Sequence, residues 1–353
     1  MADGRIIDVD SLAGTAALKR WTDQECSPPP VSPFQRHDVM LALHAIHTPD
    51  RRLAFAVGSE GEGASSFLPF SVTRRTVGGV PFRLIGGPVG YHASVVDFAV
   101  SGGESSDQAA ASALLASSGW DLLEFRGVAA DSTLARAFAM TGCAIIDDHD
   151  AHAIPLDDGA VMSAKRARNQ RRLRRRMAEE TGTEVVTMTP LDPDWPAVIE
   201  AFAVLHRARW QDTGTPSAFA DPATRERLAA QFGGAAAPPG LRAVTLTSGG
   251  HIRGVVLAFD HGDEVHAWRL AYDVTLAPYS PGLQLLQGLA ESAAAEGRSL
   301  LRLGRGDDEY KQSWATIRIP QVIVRGVSSS ARVRLTGMLA RVVGRTPFAS
   351  WQA

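Results

Sequence analysis

The sequence predicts an α/β (α+β) protein made of two copies of one unit, each a mostly antiparallel twisted sheet flanked by helices. Three observations predict it. Short strand-like runs separated by Gly-rich turns occur twice as antiparallel meanders. Each meander is followed by a helix and then another strand, in the same order. The segment GWDLLEF (119–125) is echoed by GRSLLRL (297–303), with a glycine, two leucines and a large apolar residue at matching offsets. A repeated element order joined to a repeated strand indicates tandem duplication. A sheet with one apolar face must bury it under helices.

The elements follow in order. Residues 1–33 form a polar entry segment with a loop at Ser27-Pro28-Pro29-Pro30, where proline fixes φ and removes donors. A first unit over 34–155 begins with the strands RLAFAV (52–57), SSFLPFSV (65–72) and VPFRLIG (80–86). It continues with a helix at 107–119, the strand WDLLEFRG (120–127), a helix at 131–140 opened by an Asp131 cap, and the strand CAIIDD (143–148). A second unit over 156–326 starts with three helices, at 163–182, 195–210 and 221–232, the last with Asp221 as cap and Pro222 at its first position. The meander LRAVTLT (241–247), IRGVVLAF (252–259) and EVHAWRLAY (264–272) follows, split by SGG and HGD turns. Then come a helix at 281–297, the strand SLLRL (299–303), a short helix at 308–314 and the strand TIRIPQVIV (316–324). The tail, 327–353, carries a basic amphipathic stretch at 333–343.

Composition narrows the function classes. With 45% hydrophobic and 21% charged residues the chain is globular, and a net charge of −2 argues against a general nucleic-acid binder. Two cysteines, Cys26 and Cys143, make no disulfide framework, which favours a reducing compartment. The acidic start lacks the order of a signal peptide, so the expected location is the cytoplasm. No run of about 18 apolar residues predicts a membrane span. Arg305-Gly306-Asp307 spells an adhesion tripeptide, but that role needs an exposed extracellular loop. No metal-ligand pattern, Walker motif or dinucleotide fingerprint is present.

Four stretches could carry chemistry. In AYDVTLAPYSPGLQLL (271–286) a strand leads through Ser280 into a helix that starts at Pro281-Gly282. A helix start exposes unpaired N–H groups and binds phosphate well; an ordinary turn capped by Ser280 is the plainer reading. Tyr310 and Lys311 begin the next helix, where a phenol can protonate a leaving group and an amine can neutralise phosphate. Asp307, Asp308 and Glu309 beside them suit a first helical turn and need no other role. In WPAVIEAFAVLHRARW (195–210) the residues Trp195, Val198, Ile199, Phe202 and Leu205 make a core stripe, with His206 and Arg209 at its margin. These two are either satisfied structural groups or the lining of a cleft. Finally, eight of the twelve residues from Lys165 to Arg176 are Lys or Arg. Such density is either a solvated face paired to nearby acids or a seat for a nucleotide, RNA or a membrane surface.

The segments RNQRRLRRRMAEETG (168–182), LHRARW (205–210), YDVTLAPYSPGLQLL (272–286) and GRGDDEYKQSW (304–314) together resemble the GNAT superfamily. The resemblance is to its CelD-like form, found in cellulose and exopolysaccharide clusters, and to the Fem-type peptidoglycan transferases, which are tandem GNAT folds. It implies an acyltransferase that uses acetyl-CoA or another acyl-CoA, with no metal. It implies Ser280, Pro281, Gly282, Leu283 and Gln284 at the CoA diphosphate and Tyr310 as acid for the departing thiolate. Lys311 would contact substrate or phosphate, Asp307 or His206 would be the base, and Arg209, Trp210, Asp273 and Arg305 would meet the acceptor. Where the family carries an acid in the strand before that loop, this chain has Arg302. The first copy has neither the SPG start nor the Tyr-Lys pair, so it is expected to shape the protein or bind substrate.

The expected function is therefore direct attack of an amine or hydroxyl on a thioester, the acceptor being a sugar, a sugar nucleotide or another cell-envelope precursor. One alternative is a Fem-like transfer from aminoacyl-tRNA, for which the basic helix would bind RNA. Another is a non-catalytic binding protein on a GNAT scaffold.

Overall fold

The structure is a computed structural model that describes residues 3–11, 18–19, 21, 32–59, 65–77, 80–156, 164–211, 214, 216–306, 308–314 and 316–329. The loop at Ser27–Pro30 and the basic stretch at 333–343 lie outside these residues. The chain divides into two compact units. The first takes residues up to 40, 48–149 and from 320 onward; the second takes 41–47 and 150–319. None of the described helices is long and apolar enough to cross a membrane.

The first unit is a seven-stranded sheet in the order β1-β2-β3-β4-β5-β14-β6. Its strands are β1 (Asp3–Asp8), β2 (Arg52–Ser59), β3 (Ser65–Val77), β4 (Val80–Gly86), β5 (Leu122–Ala129), β6 (Ala144–Asp147) and β14 (Gln321–Val327). All neighbours are antiparallel except β4 and β5, which run parallel for three pairs, Leu84–Gly86 against Leu122–Glu124. Among the described residues three helices belong to it wholly or in part: α1 (His37–His47), which begins here, α2 (Glu104–Ala116) and α3 (Thr133–Ala139). The Ala-rich face of α2 lies almost on the backbone of β2: a Cβ at Gly58 would sit 1.9 Å from the Ser106 carbonyl oxygen. Only glycine permits that approach. The core is Phe70, Ile85, Leu114, Phe125, Phe138 and their neighbours. The cap of α3 is Ser132, whose hydroxyl accepts from the Ala135 amide at 3.1 Å, and not Asp131 as the sequence reading had it. The buried Asp97 adds a second acceptor, taking the Leu134 amide at 3.1 Å.

The second unit has the order β13-β7-β12-β11-β10-β9-β8. Its strands are β7 (Ala151–Pro155), β8 (Glu184–Met188), β9 (Leu241–Ser248), β10 (His251–His261), β11 (Glu264–Tyr272), β12 (Leu300–Arg305) and β13 (Ile317–Ile319). Its helices are α4 (Ala164–Thr181), α5 (Trp195–Trp210), α6 (Pro222–Phe232), α7 (Pro281–Ala295) and α8 (Glu309–Trp314). The SGG turn works as its letters require: Gly249 and Gly250 both have positive φ, 55° and 78°, which twists the β9–β10 hairpin correctly. Here too one pair is parallel and short: β11 and β12 are in register only from Glu264–His266 against Leu300–Arg302. The echoed segments GWDLLEF and GRSLLRL are thus the parallel strands of the two sheets, at the same register position.

Two sequence expectations are corrected here. TIRIPQVIV is two strands rather than one, because Pro320 has no N–H with which to continue a ladder. Ile317–Ile319 pair with β7, while Gln321–Val327 pair with β5 and β6 of the first unit. The contact boundaries accordingly fall at 149/150 and 319/320, not at 155/156 and 326/327, and β7 joins the second sheet.

Candidate active site

The strands β11 and β12 separate after His266↔Arg302, although β11 continues to Tyr272 and β12 to Arg305. A parallel pair that stops pairing mid-length opens a V, and beyond His266 this edge of β11 is no longer in register with β12. At the closed end, Arg302 donates to both oxygens of Glu264, with Nη2–Oε1 at 2.8 Å, and His266 Nε2 lies 3.1 Å from the same carboxylate. Burial alone would raise the Glu264 carboxyl; the bonds from His266 and Arg302 outweigh it and hold it at about 2. Burial lowers His266 to about 4. This trio stitches the strands together where they diverge, and a carboxylate so firmly held makes a poor base.

The loop after β11 is built to present the start of α7. Asp273 accepts from the Thr275 amide at 2.9 Å and from Arg253 Nη2 at 2.7 Å. Burial opposes its ionised form, but the bonds from Arg253 and Thr275 keep its pKa low. Asp273 therefore anchors the turn Val274–Tyr279. Tyr279 donates to Glu180 of α4, tying that turn to the basic helix. Ser280 then adopts a left-handed conformation, φ 54°, which no other non-glycine among the described residues shares. Strain of this kind persists only where the surroundings impose it. Its side chain does not cap α7, and Pro281 occupies the first helical position.

Within the first turn, the Leu283 and Gln284 amides bond back to the Ser280 carbonyl. The Gly282 amide has no such partner among the described residues. Gly282 also sits close to β11, where a Cβ would lie 3.4 Å from the Tyr272 ring. Gln284 is fully buried and committed: its amide donates to Gln170 Oε1 at 2.8 Å and its oxygen accepts from Arg174 Nε at 3.1 Å. These bonds lay α4 alongside the helix start. Leu283 packs at the margin of the core.

Tyr272, the last residue of β11, joins the other predicted groups. The Arg209 guanidinium lies over its ring, 4.7 Å from the centroid, while Arg209 Nη1 donates to the Leu270 carbonyl at 3.4 Å in the open part of the V. Tyr310, Tyr272 and Leu270 each pack against this unit's core, and Tyr272 lies near enough to act electrostatically on the Tyr310 phenol. Burial raises the Tyr310 phenol well above its usual range, the Asp308 charge adds to this, and Arg209 pulls the other way. The structure thus gathers Gly282, Tyr272, Arg209 and Tyr310. Tyr272 was missed because its part depends on α5, α7 and α8 converging on one strand end; the only hint in sequence was an aromatic at the strand-to-loop junction.

The other predicted residues are placed as follows. Lys311 is buried, with Nζ donating to the Arg305 carbonyl at 2.6 Å and paired to Asp308 at 2.9 Å. That amine clasps the loop 305–308. Arg305 lies opposite Ala151 in the ladder. His206 is buried, its Nδ1 2.8 Å from Ser217 Oγ and its ring stacked on Trp210 at 5.9 Å. Burial, with the charges of Arg269 and Arg209, lowers its pKa to about 4. Asp307 lies outside the described residues.

Replacing Lys311 by Met tests the clasp. A hydrogen-bonded buried charge contributes about 2 kcal/mol. The expected outcome is a thermal midpoint lower by about 5 °C, with the circular dichroism spectrum retained. An unchanged midpoint would show that the amine does not hold this loop.

Residues 164–312 match the family model of the acetyltransferase (GNAT) domain. The second unit carries that GNAT domain, and its enzyme class is acyltransferase. The whole chain shares its fold with solved structures at low identity. FemX has a TM-score of 0.61 at 10% identity, covering 91% of this chain and 98% of that one. The L-PGS of Bacillus licheniformis has a TM-score of 0.52 at 14% identity, covering 89% and 97%. A conserved protein of unknown function from Bacteroides thetaiotaomicron has a TM-score of 0.55 at 14% identity, covering 90% and 98%. No curated protein matches the chain in sequence. Likeness at such identities shows the fold alone, two mostly antiparallel sheets flanked by helices. The GNAT match falls in the copy that holds the strained Ser280 and the Tyr310 helix.

Proposed function

We propose that the chain is an acyl-CoA-dependent N- or O-acyltransferase, most simply an acetyltransferase, whose acceptor attacks the thioester directly. The observation that carries this is the V between β11 and β12 with Gly282 at its mouth. The edge of β11 that β12 no longer pairs can bond an extended, amide-bearing arm, and the Gly282 amide, without a backbone partner among the described residues, at a positive helix end suits a diphosphate. Ser280 to Leu283 would hold that group through backbone. Gln284 would act by fixing α4 beside it.

In the reaction, the acceptor nitrogen or oxygen bonds to the thioester carbonyl carbon, and the carbon–sulfur bond breaks. The sulfur leaves with the bonding pair and takes its proton from, or shares it with, the Tyr310 hydroxyl. The acceptor's proton passes to a base, for which Asp307 and His206 are the candidates. The Arg302–Glu264 pair replaces the strand acid usual in the family, so the base is sought elsewhere. Positioning supplies most of such a rate. The acceptor belongs to the sugars, sugar nucleotides and cell-envelope precursors that a CelD-like or Fem-like role would supply.

A tRNA-linked donor is the second reading, and one observation favours it. In α4 the C-terminal cations are paired, Arg174 with Glu291, Arg175 with Glu179 and Arg176 with Glu180. Lys165, Arg168 and Arg171 are exposed and have no carboxylate partner among the described residues. One experiment separates the readings. Acetyl-CoA at about 100 times its Kd adds about 2.7 kcal/mol of stability, so the midpoint is expected to rise by about 5 °C or more. No shift with acetyl-CoA, together with steeply salt-dependent tRNA binding, would favour the second reading.

A further inference from the structure

We propose that the acceptor carries an anionic group, best a carboxylate, that docks on Arg209 above the Tyr272 ring. The inference rests on the acyltransferase reading only in treating this ligand as the acceptor. Arg209 is half-buried at the end of α5, and its only described partners are the Leu270 carbonyl and the Tyr272 ring. Neither carries a charge. The neighbouring acids are engaged with other cations: Asp308 with Lys311, Asp273 with Arg253 and Glu264 with Arg302. A guanidinium held by stacking and a single carbonyl, with no counter-ion among the described residues, is costly unless a ligand supplies the charge. Its Nη1 faces Leu270, which leaves the Nε–Nη2 edge as a planar fork for a carboxylate.

The surroundings point the same way. The rings of His206 and His47 stay uncharged beside Arg209 and Arg269, so the local field is positive without being self-neutralised. Arg209 also lies on the Tyr272 ring, against which a Cβ at Gly282 would pack, near the Tyr310 phenol. An acceptor anchored there by its anion would bring an amine a few bonds away towards a thioester held in the V.

The test uses the full chain saturated with coenzyme A and calorimetric titration of matched product-like probes. N-acetylglycine is compared with N-acetylglycinamide, and N-acetylglucosamine 6-phosphate with N-acetylglucosamine. The anionic member of at least one pair is expected to bind at least about 10-fold more tightly, the scale of one charge-assisted fork. The carboxylate pair showing it identifies an amino-acid-like acceptor; the phosphate pair showing it alone identifies a sugar phosphate. Arg209→Gln, with folding checked by circular dichroism, is expected to erase the preference by weakening only the anionic member. Arg209→Lys keeps the charge without the fork and should retain the phosphate preference better than the carboxylate one. Equal binding within both pairs, or a preference that survives Arg209→Gln, overturns the proposal. Failure of the acyl-CoA reading shows separately, as no heat from coenzyme A while an Arg209-dependent preference persists.

Discussion

Replacing Tyr310 by Phe is expected to lower kcat about 100-fold, within the range that one positioned proton donor supplies. The KM for acetyl-CoA should stay within about twofold. The substitution removes a single oxygen, so the ring keeps its place against the core. Burial keeps the phenol protonated across the whole working range of pH. It can therefore donate at every turnover and is never lost to ionisation. In the proposed reaction the departing sulfur would gather charge beside this buried phenol, where a ready donor is worth most. A 100-fold loss corresponds to about 2.7 kcal/mol of transition-state stabilisation. The measurement is steady-state thiol release by wild type and variant, with matched thermal midpoints as the check on folding. Unchanged turnover would remove Tyr310 from the mechanism and leave the sulfur to be protonated by solvent.

The second large effect is acid lability of the GNAT unit. His206 and His266 are both buried, and burial is the main reason each is lowered from 6.5 to about 4. In the unfolded chain each takes up a proton near pH 6.5; in the folded unit each resists until about pH 4. The unfolded state therefore binds more protons between those values. Stability is complete above pH 6.5 and declines as pH falls towards 4. Each pH unit across that window costs about 1.4 kcal/mol per histidine, so the pair together remove on the order of 5 kcal/mol by pH 4. Glu264, held at about 2, adds a further loss only below its ordinary value of 4.5. Urea titrations at pH 7.5, 5.5 and 4.5 would show the midpoint falling through this window. His206→Gln should flatten part of the slope, and a midpoint flat from pH 7.5 to 4.5 would refute the account.

Much of the fold was legible because its signals are local. Period-two apolar runs, the SGG turn and the Asp221-Pro222 helix start each act within a few residues, and each lies where the sequence placed it. The duplication was readable from two strands, and those strands proved to be the parallel members of both sheets. The failures were also physical. Ser132 rather than Asp131 caps α3 because the cap is chosen by backbone geometry, and both residues are acceptable there. TIRIPQVIV looked like one strand because no local signal says which sheet each side of Pro320 will join.

The candidate site divides in the same way. The sequence by itself determined the SPG helix start, the Tyr-Lys helix and the stripe that places His206 and Arg209 on one side of α5, because spacing along a helix or across a turn is set by the local chain. Only the tertiary structure decided what those groups do. Lys311 became a loop clasp because the Arg305 carbonyl and Asp308 lie within its reach. Gln284 became a bracket between helices because Gln170 arrives from more than a hundred residues earlier. Tyr272 gained its place, and Arg209 its seat on the Tyr272 ring, through the meeting of a strand end with three helices. Charge pairing and burial act through space between residues far apart in the chain, and spacing along the sequence carries no record of them.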